Sequence, residues 1–404
     1  MDAEVGAVMT VVGIGADGWR GLGDAARARV LGAAVLLGCE RHLALVPPVD
    51  GQVRRAWPRP MGDLTPLLQE YDGLAVVALA SGDPLLSGIA TTLRAQGVEV
   101  EVVPGVSSVA LARARMRWPA ESCAVLTLVG RDPDAVRREL APGRRLLVLS
   151  SDETTPAVVA GLLREEGFAA SRMAVLGDLG STDERRVDGT AAELWRGDLP
   201  RLHVLAIEVV GAPATVTTWA AGLPDEAFEH DGQLTKRDLR ASALSRLAPR
   251  PGALLWDVGA GAGSIGIEWL RAHPLTEAVA IEADPERAAR VRRNAARLGV
   301  PRLRVVEGRA PDALADLSAP DAVFVGGGMS EALLAHCLAA LAPHGRLVAH
   351  GVTLETEQLL AAAYQRQGGE LTRIAVEHAT ALGGMTGWTP LRTVTQWTCG
   401  KEAR

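Results

Sequence analysis

A chain of 404 residues is long for one domain and predicts two or three. Its 48% hydrophobic and 22% charged residues suit ordinary globular material able to bury large cores, while a net charge of −6 and only 3% aromatics count against a nucleic-acid binder, which needs a basic surplus and stacking rings. The acidic start Met1-Asp2-Ala3-Glu4 lacks the basic stretch of a secretory leader, and no uncharged apolar run reaches the roughly 18 residues of a membrane span, so no membrane partner is expected. Four scattered cysteines (Cys39, Cys123, Cys337, Cys399) and eight histidines without metal spacing predict reduced thiols, a cytoplasmic setting and no metal site.

Strand-like runs alternate with helical patterns along most of the chain, which predicts parallel α/β sheets. The first run, Val8–Gly18, carries Gly13, Gly15 and Gly18 in the spacing G-x-G-x-x-G; a helix from Asp24 to Leu31 and a strand over 33–38 follow. The strand 75–80 runs into Ser81-Gly82-Asp83-Pro84, where a glycine frees the backbone, an acid is presented and Pro84 is placed to open the next helix. The strand 98–103 ends in Pro104-Gly105-Val106-Ser107-Ser108, another small-residue turn. Strand ends with small-residue loops are where open α/β sheets bind ligands, although each turn alone also reads as plain turn chemistry. A second lobe begins near Ser122, with strands at 124–129, 146–149, 173–176 and 204–210 and an acidic loop, Gly177–Glu184.

Breaker-rich sequence over 211–230 marks a boundary between residues 1–210 and 231–404. Beyond it, Thr235 followed by Asp238 has capping-box spacing for a helix over 236–247. Thr235 is then an N-cap, a holder of a ligand carboxylate, or both. The central stretch is Leu254–Gly266: an apolar run, Asp257, then Gly259-Ala260-Gly261-Ala262-Gly263 turning into a helix. Gly261, Gly263 and Gly266 repeat the G-x-G-x-x-G spacing, so NAD and S-adenosylmethionine (SAM) both fit locally. Three features favour SAM. Asp257 lies near the turn to meet an ammonium, Glu282 ends the next strand where its two oxygens can take both ribose hydroxyls, and no cation in the turn awaits a diphosphate. Without a ligand the same stretch is a tight strand–turn–helix.

Asp284-Pro285 predicts a helix start and Gly299 its stop. Gly308 and Ala310 lie in a loop after the strand 303–306, suited to edge an adenine through the Ala310 N–H, since Arg309 stands where an acid would contact the base. Gly326-Gly327-Gly328 at the end of the strand 322–325 leave room for something bulky. The chain closes with a strand, the glycine-rich loop 382–388 and a strand over 392–398.

These motifs resemble two methyltransferase classes in series. Gly13-Ile-Gly-Ala-Asp-Gly18, Ser81-Gly-Asp-Pro84, Pro104-Gly-Val-Ser-Ser108 and Gly177–Glu184 are similar to the tetrapyrrole (class III) methyltransferases. Asp231-Gly-Gln-Leu-Thr-Lys-Arg237, Trp256–Ser264 and Phe324–Gly328 are similar to the class I methyltransferases that methylate C15 and decarboxylate. The order in one chain resembles the precorrin-6Y C5,15-methyltransferase (decarboxylating) family of cobalamin biosynthesis.

The resemblance implies an α/β protein with an N-terminal two-lobed tetrapyrrole-methyltransferase fold and a C-terminal Rossmann-like, seven-stranded class I fold. It implies two SAM sites per chain, methylation of precorrin-6B at C5 and C15, loss of the C12 acetate as CO2, precorrin-8X as product, and a homo-oligomer. Thr235, Asp257, Gly259–Gly263, Glu282, Gly308 and Ala310 would line the C-terminal site. Gly15, Ser81, Gly82, Asp83, Pro104 and Gly105 would line the other, with Ala16 departing from the proline usual in that loop. A polyanionic substrate needs cations, for which Lys236, Arg237 and Arg392 are candidates. His230, Asp231, Ser330 and Glu331 are candidates for proton transfer. For each the plain alternative is a solvated surface group. An NAD-dependent oxidoreductase, a non-catalytic SAM or tetrapyrrole binder, and a class I methyltransferase with another substrate remain the competing expectations.

Overall fold

The computed structural model describes residues 8–401 except 194, 196 and 212–217. The acidic start at 1–4 and the 212–217 part of the expected linker therefore lie outside the described residues. The chain divides into two compact units, Met1–Pro133 with Leu140–Ala212 and Asp134–Glu139 with Pro213–Arg404.

In the first unit, β1 (Met9–Ile14), β2 (Val35–Gly38), β3 (Val53–Ala56), β4 (Val76–Ser81) and β5 (Val100–Val103) form a parallel sheet in the order β3-β2-β4-β1-β5. The apolar runs predicted β1, β2 and β4 because central parallel strands are buried on both faces, and the edge strand β5 was predicted from its valine-rich run 98–103. The helix Asp24–Leu31 lies where the sequence placed it. Pro84 does not open a helix: residues 82–88 form turns and the next helix is Ile89–Ala95, with Gly88 at its N-cap.

A second sheet in this unit takes β6 (Cys123–Thr127), β7 (Arg145–Leu149), β8 (Arg172–Gly177), β9 (Arg185–Thr190) and β10 (His203–Glu208), in the order β6-β7-β10-β8-β9. Only β6 and β7 run parallel; β10 is antiparallel to both neighbours, and β8 pairs antiparallel with β9. The expectation of parallel sheets fails here because the acidic loop between β8 and β9 contains no crossover helix, which parallel neighbours require.

The second unit is built on β11 (Leu254–Val258), β12 (Glu277–Glu282), β13 (Arg304–Glu307), β14 (Ala322–Val325), β15 (Arg346–Gly351) and β16 (Glu370–Ile374). A separate hairpin, β17 (Glu377–Leu382) and β18 (Met385–Pro390), precedes β19 (Val394–Gly400). The seven-stranded order is β13-β12-β11-β14-β15-β19-β16, with β19 antiparallel to both β15 and β16. The stretch 382–388 is thus not a loop closing the main sheet. Gly383-Gly384 turn an exposed hairpin of their own, with Gly383 at φ +61°, and the antiparallel pair in the main sheet is β16 with β19.

Two apolar layers sandwich the main sheet. Trp269, Ile267 and Phe324 lie in one; Trp256, Leu360 and Trp397 lie in the other. From β11 the chain moves outward to β12 and β13, then returns to β14 on β11's other side. That reversal opens a crevice at the carboxyl ends of β11 and β14.

Candidate active site

In the second unit, β11 ends at Val258 and the helix Ser264–Ala272 begins after a five-residue turn. Gly259, Gly261 and Gly263 all have positive φ, at +70°, +59° and +76°. A Cβ on Gly261 would lie 2.8 Å from the Gln233 carbonyl oxygen, and one on Gly259 would lie 3.0 Å from the Gly327 backbone. The glycines therefore let the 231–235 segment and the Gly326–Gly328 loop approach the turn closely. The turn is tied internally: Gly259 and Ala260 donate to the Ile281 carbonyl and Gly263 to that of Ala260. Ala262 is buried, and its carbonyl accepts from Asn294 Nδ2 at 3.0 Å.

Glu282 is 7% exposed at the end of β12. Its Oε2 accepts the Gly261 N–H at 2.8 Å and its Oε1 the Asp284 N–H at 3.0 Å. Each oxygen keeps a further lone pair, which is what a vicinal diol requires of a carboxylate. The Glu282 carbonyl also accepts the Gly308 N–H at 2.9 Å, bringing the loop with Gly308 and Ala310 to the same strand end. A Cβ on Gly327 or Gly328 meets nothing within 4 Å, so this side of the turn is open. Bare backbone, a diol-ready carboxylate and adjoining space fit an adenosyl cofactor.

Asp257 is corrected. It is 1% exposed, and its Oδ2 accepts the Gly266 N–H at 2.9 Å. Burial pushes its carboxyl up to about 7; the Gly266 N–H opposes this and the Glu282 charge adds to it. Asp257 secures the helix start, so the Gly266 amide is not left for a ligand. For Thr235 the N-cap alternative is corrected: the helix is Arg237–Leu247, its N-cap is Lys236, and no side chain caps it, while the Thr235 hydroxyl remains a candidate holder of a ligand carboxylate. The Thr235 carbonyl instead accepts from Arg240.

The proton-transfer candidates are otherwise engaged. Asp231 pairs with Arg287 at 2.8 Å and Arg290 at 3.1 Å, and these hydrogen bonds hold its carboxyl well below the usual range. His230 Nδ1 accepts the Gly232 N–H at 3.0 Å. Ser330 caps the helix Glu331–Ala340 by accepting the Leu333 N–H at 3.1 Å, and Glu331 pairs with Arg366 at 3.2 Å. Among the cations, Lys236 pairs with Asp225 at 3.4 Å, while Arg237 and Arg392 are exposed.

Sequence reasoning missed the groups that hold the 222–235 segment in place. Arg240 is wholly buried; its Nε donates to Glu268 Oε1 at 2.7 Å, and its Nη groups reach Asp225 and the Leu223 carbonyl. Glu268 also accepts the Gly222 and Leu223 N–H groups at 2.6 and 2.9 Å. Asn294 brackets the Glu229 backbone with both ends of its amide, at 2.9 Å each. The signal was present in Glu268, a lone charge inside the apolar run 265–270, because a charge on a buried face requires a partner.

In the first unit, three loops meet at three glycines. Gly82 donates to the Ile14 carbonyl and Gly105 to the Gly82 carbonyl, each at 3.0 Å. A Cβ on Gly13 would stand 1.8 Å from Gly82 O and 2.5 Å from Gly105 N. The ends of β1, β4 and β5 are thereby in backbone contact. Gly15 turns over Asp17, whose Oδ1 would lie 2.4 Å from an added Cβ. Asp83 accepts the Leu85 N–H at 2.9 Å, and Ser107, after Pro104 and Gly105, caps the helix Ser108–Met116. Gly18 starts a four-residue 3-10 turn rather than a long helix, so this G-x-G-x-x-G lacks the helix that a dinucleotide site needs.

Residues 226–401 match the family described as a precorrin methyltransferase domain, and residues 8–194 match the tetrapyrrole (corrin/porphyrin) methylases. A precorrin-6Y C(5,15)-methyltransferase (decarboxylating) of Sinorhizobium sp is 46% identical over 397 residues, covering 97% of this chain and 96% of its own. One of the same name from Mycobacterium tuberculosis (strain CDC 1551 / Oshkosh) is 46% identical over 405 residues, covering 98% and 100%. The crystal structure of the C-terminal domain of precorrin-6Y C5,15-methyltransferase from Rhodobacter capsulatus is 46% identical; it covers 46% of this chain and 100% of that one, with a TM-score of 0.44.

Proposed function

The chain belongs to the precorrin-6Y C5,15-methyltransferase (decarboxylating) family, and from that premise we propose a division of labour between its two units. It is a SAM-dependent methyltransferase of cobalamin biosynthesis that methylates precorrin-6B at C5 and C15 and removes the C12 acetate as CO2. The supporting observation is 46% identity over 97% of the chain, a span that includes both glycine-built sites. In the proposal, residues 1–210 transfer to C5, residues 231–404 transfer to C15 and decarboxylate, and each part holds its own SAM. The chain works in the cytoplasm as a homo-oligomer.

SAM, when bound, supplies an activated methyl group for in-line transfer to an electron-rich ring carbon. The protein's task is then alignment and exclusion of water. In the second unit, Gly259–Gly263 give a side-chain-free floor, Glu282 takes the ribose hydroxyls, Gly308 and Ala310 edge the adenine, and Gly326–Gly328 leave space for the macrocycle. In the first unit, Gly15, Ser81, Gly82, Asp83, Pro104 and Gly105 do the equivalent work. Lys236, Arg237 and Arg392 meet substrate carboxylates. Each methylation releases the hydrogen of its carbon as a proton, and loss of CO2 takes one up. Asp231, held ionised by Arg287 and Arg290, is a poor carrier for either.

The test is full-length protein with precorrin-6B and SAM carrying a carbon-13 methyl group. The expected product carries label at both C5 and C15, with one equivalent of CO2. A single labelled methyl, or no CO2, overturns the reading.

A further inference from the structure

In the first unit a polar cluster stands beside the glycine junction. Ser81 is the last residue of β4 and is exposed, one residue before Gly82. The short helix Glu40–Ala44 brings Arg41 and His42 to it. Arg41 Nη2 lies 3.0 Å from Ser81 Oγ and 3.0 Å from His42 Nε2, and His42 Nε2 lies 2.9 Å from Ser81 Oγ. Three polar atoms on three side chains are thus in mutual hydrogen-bond contact.

Their roles follow from what each can give. Guanidinium only donates, so His42 Nε2 is an acceptor and the ring is neutral. His42 is 6% exposed, and burial together with the Arg41 charge pushes its pKa down to about 4, which keeps it neutral under working conditions. The two hydrogens of Arg41 Nη2 serve both neighbours, one to the lone pair of His42 Nε2 and one to Ser81 Oγ, which also lies 2.9 Å from His42 Nε2. Arg41 is exposed and uses only Nη2 in this cluster, which leaves its Nε and Nη1 donors for a ligand. The result is a solvent-facing cation with its side chain fixed from behind by a neutral base, which lowers the entropy lost on gripping an anion.

We infer that Arg41, held in place by His42 and Ser81, binds a carboxylate beside the glycine junction of the first unit. This rests on reading that junction as a methyl-transfer site. Two ligands there carry such a group, the methionine end of SAM and the acetate and propionate arms of the tetrapyrrole. His42 is a positioning residue: it touches Arg41 and Ser81, not the ligand.

The experiment uses full-length Arg41→Met, Arg41→Lys, His42→Leu and His42→Gln proteins. C5 transfer from carbon-13-methyl SAM to precorrin-6B is followed at varied concentrations of each ligand, and thermal melting confirms folding. Arg41→Met is expected to raise one KM by about tenfold or more, as loss of a charged hydrogen bond does, with a smaller fall in kcat. A rise in the precorrin KM alone identifies a tetrapyrrole arm; a rise in the SAM KM alone identifies the cofactor carboxylate. His42→Leu is expected to raise the same KM, and His42→Gln, which keeps an acceptor for Arg41, to restore it. If wild-type protein methylates C5 and folded Arg41→Met leaves both KM values within about twofold, the inference fails and the junction stands as a methyl-transfer site. If wild-type protein never labels C5, that assignment of the junction itself fails.

Discussion

Arg240 and Glu268, at 0% and 2% side-chain exposure, form a 2.7 Å ion pair between the helices Arg237–Leu247 and Ser264–Ala272. The pair is completed by backbone: Glu268 takes two N–H groups of 222–223, and Arg240 reaches the Leu223 and Thr235 carbonyls. The Arg240 guanidinium also lies 4.8 Å from the Phe228 ring centroid. Removing one partner leaves a buried charge and several unmatched backbone groups. Glu268→Ala should therefore destabilise the second unit by about 3–5 kcal/mol in urea titration. A loss below about 1 kcal/mol, the level of a surface pair, would show that the pair does not hold the segment.

Asp257 gives a pH signature. Its carboxyl is raised from 3.8 to about 7, so the folded protein holds this proton more tightly than the unfolded chain does. The stability it contributes is complete below about pH 4, declines as pH rises toward about 7, and is gone above that. Asp257→Asn keeps an oxygen for the Gly266 N–H and removes the titration. The difference in unfolding free energy between wild type and variant should shift in the variant's favour between pH 4 and 7, then level off. A difference that is flat with pH would place the titration elsewhere.

Glu282→Ala should weaken binding of S-adenosylhomocysteine at the proposed second-unit site by about 1–3 kcal/mol, measured by calorimetry on the whole chain. The same variant frees the Gly261 and Asp284 N–H groups, so a melting curve must accompany it. Unchanged affinity throughout the titration would remove Glu282 from the cofactor contact.

The two glycine sites should fail separately. Gly13→Ala drives a methyl group into Gly82 O, and Gly261→Ala drives one to 2.8 Å from Gln233 O at a φ of +59°. Displacing a reactive geometry by about 1 Å costs about a hundredfold in rate. Gly13→Ala should suppress label at C5, and Gly261→Ala label at C15 together with CO2, read by carbon-13 spectra of the product. Equal loss at both carbons in both variants would end the division of labour.

How legible each part was depended on what its residues had to satisfy. The stretch from Leu254 to Ala272 could be read directly, because a doubly buried strand, a positive-φ turn and a buried helix each demand a distinctive composition. The short β3 (Val-Arg-Arg-Ala) and β9 (Arg-Arg-Val-Asp-Gly-Thr) were missed, since edge strands bury little and so carry little apolar signal. Thr235 had the spacing of a cap, but Arg240 draws on the Thr235 carbonyl and the helix starts at Arg237. Asp257 was placed at the right loop and given the wrong neighbour: a single sequence does not say whether a strand-end acid faces the crevice or the following helix. Arg41 and His42 meet Ser81 across about forty positions, beyond any local pattern.

The contact among Gly13, Gly82 and Gly105 has a mechanical meaning. With no side chain between them, the three loops are geared together by single hydrogen bonds from Gly82 to Ile14 and from Gly105 to Gly82. A shift of any one of them along these bonds must either break a hydrogen bond or carry its neighbour with it.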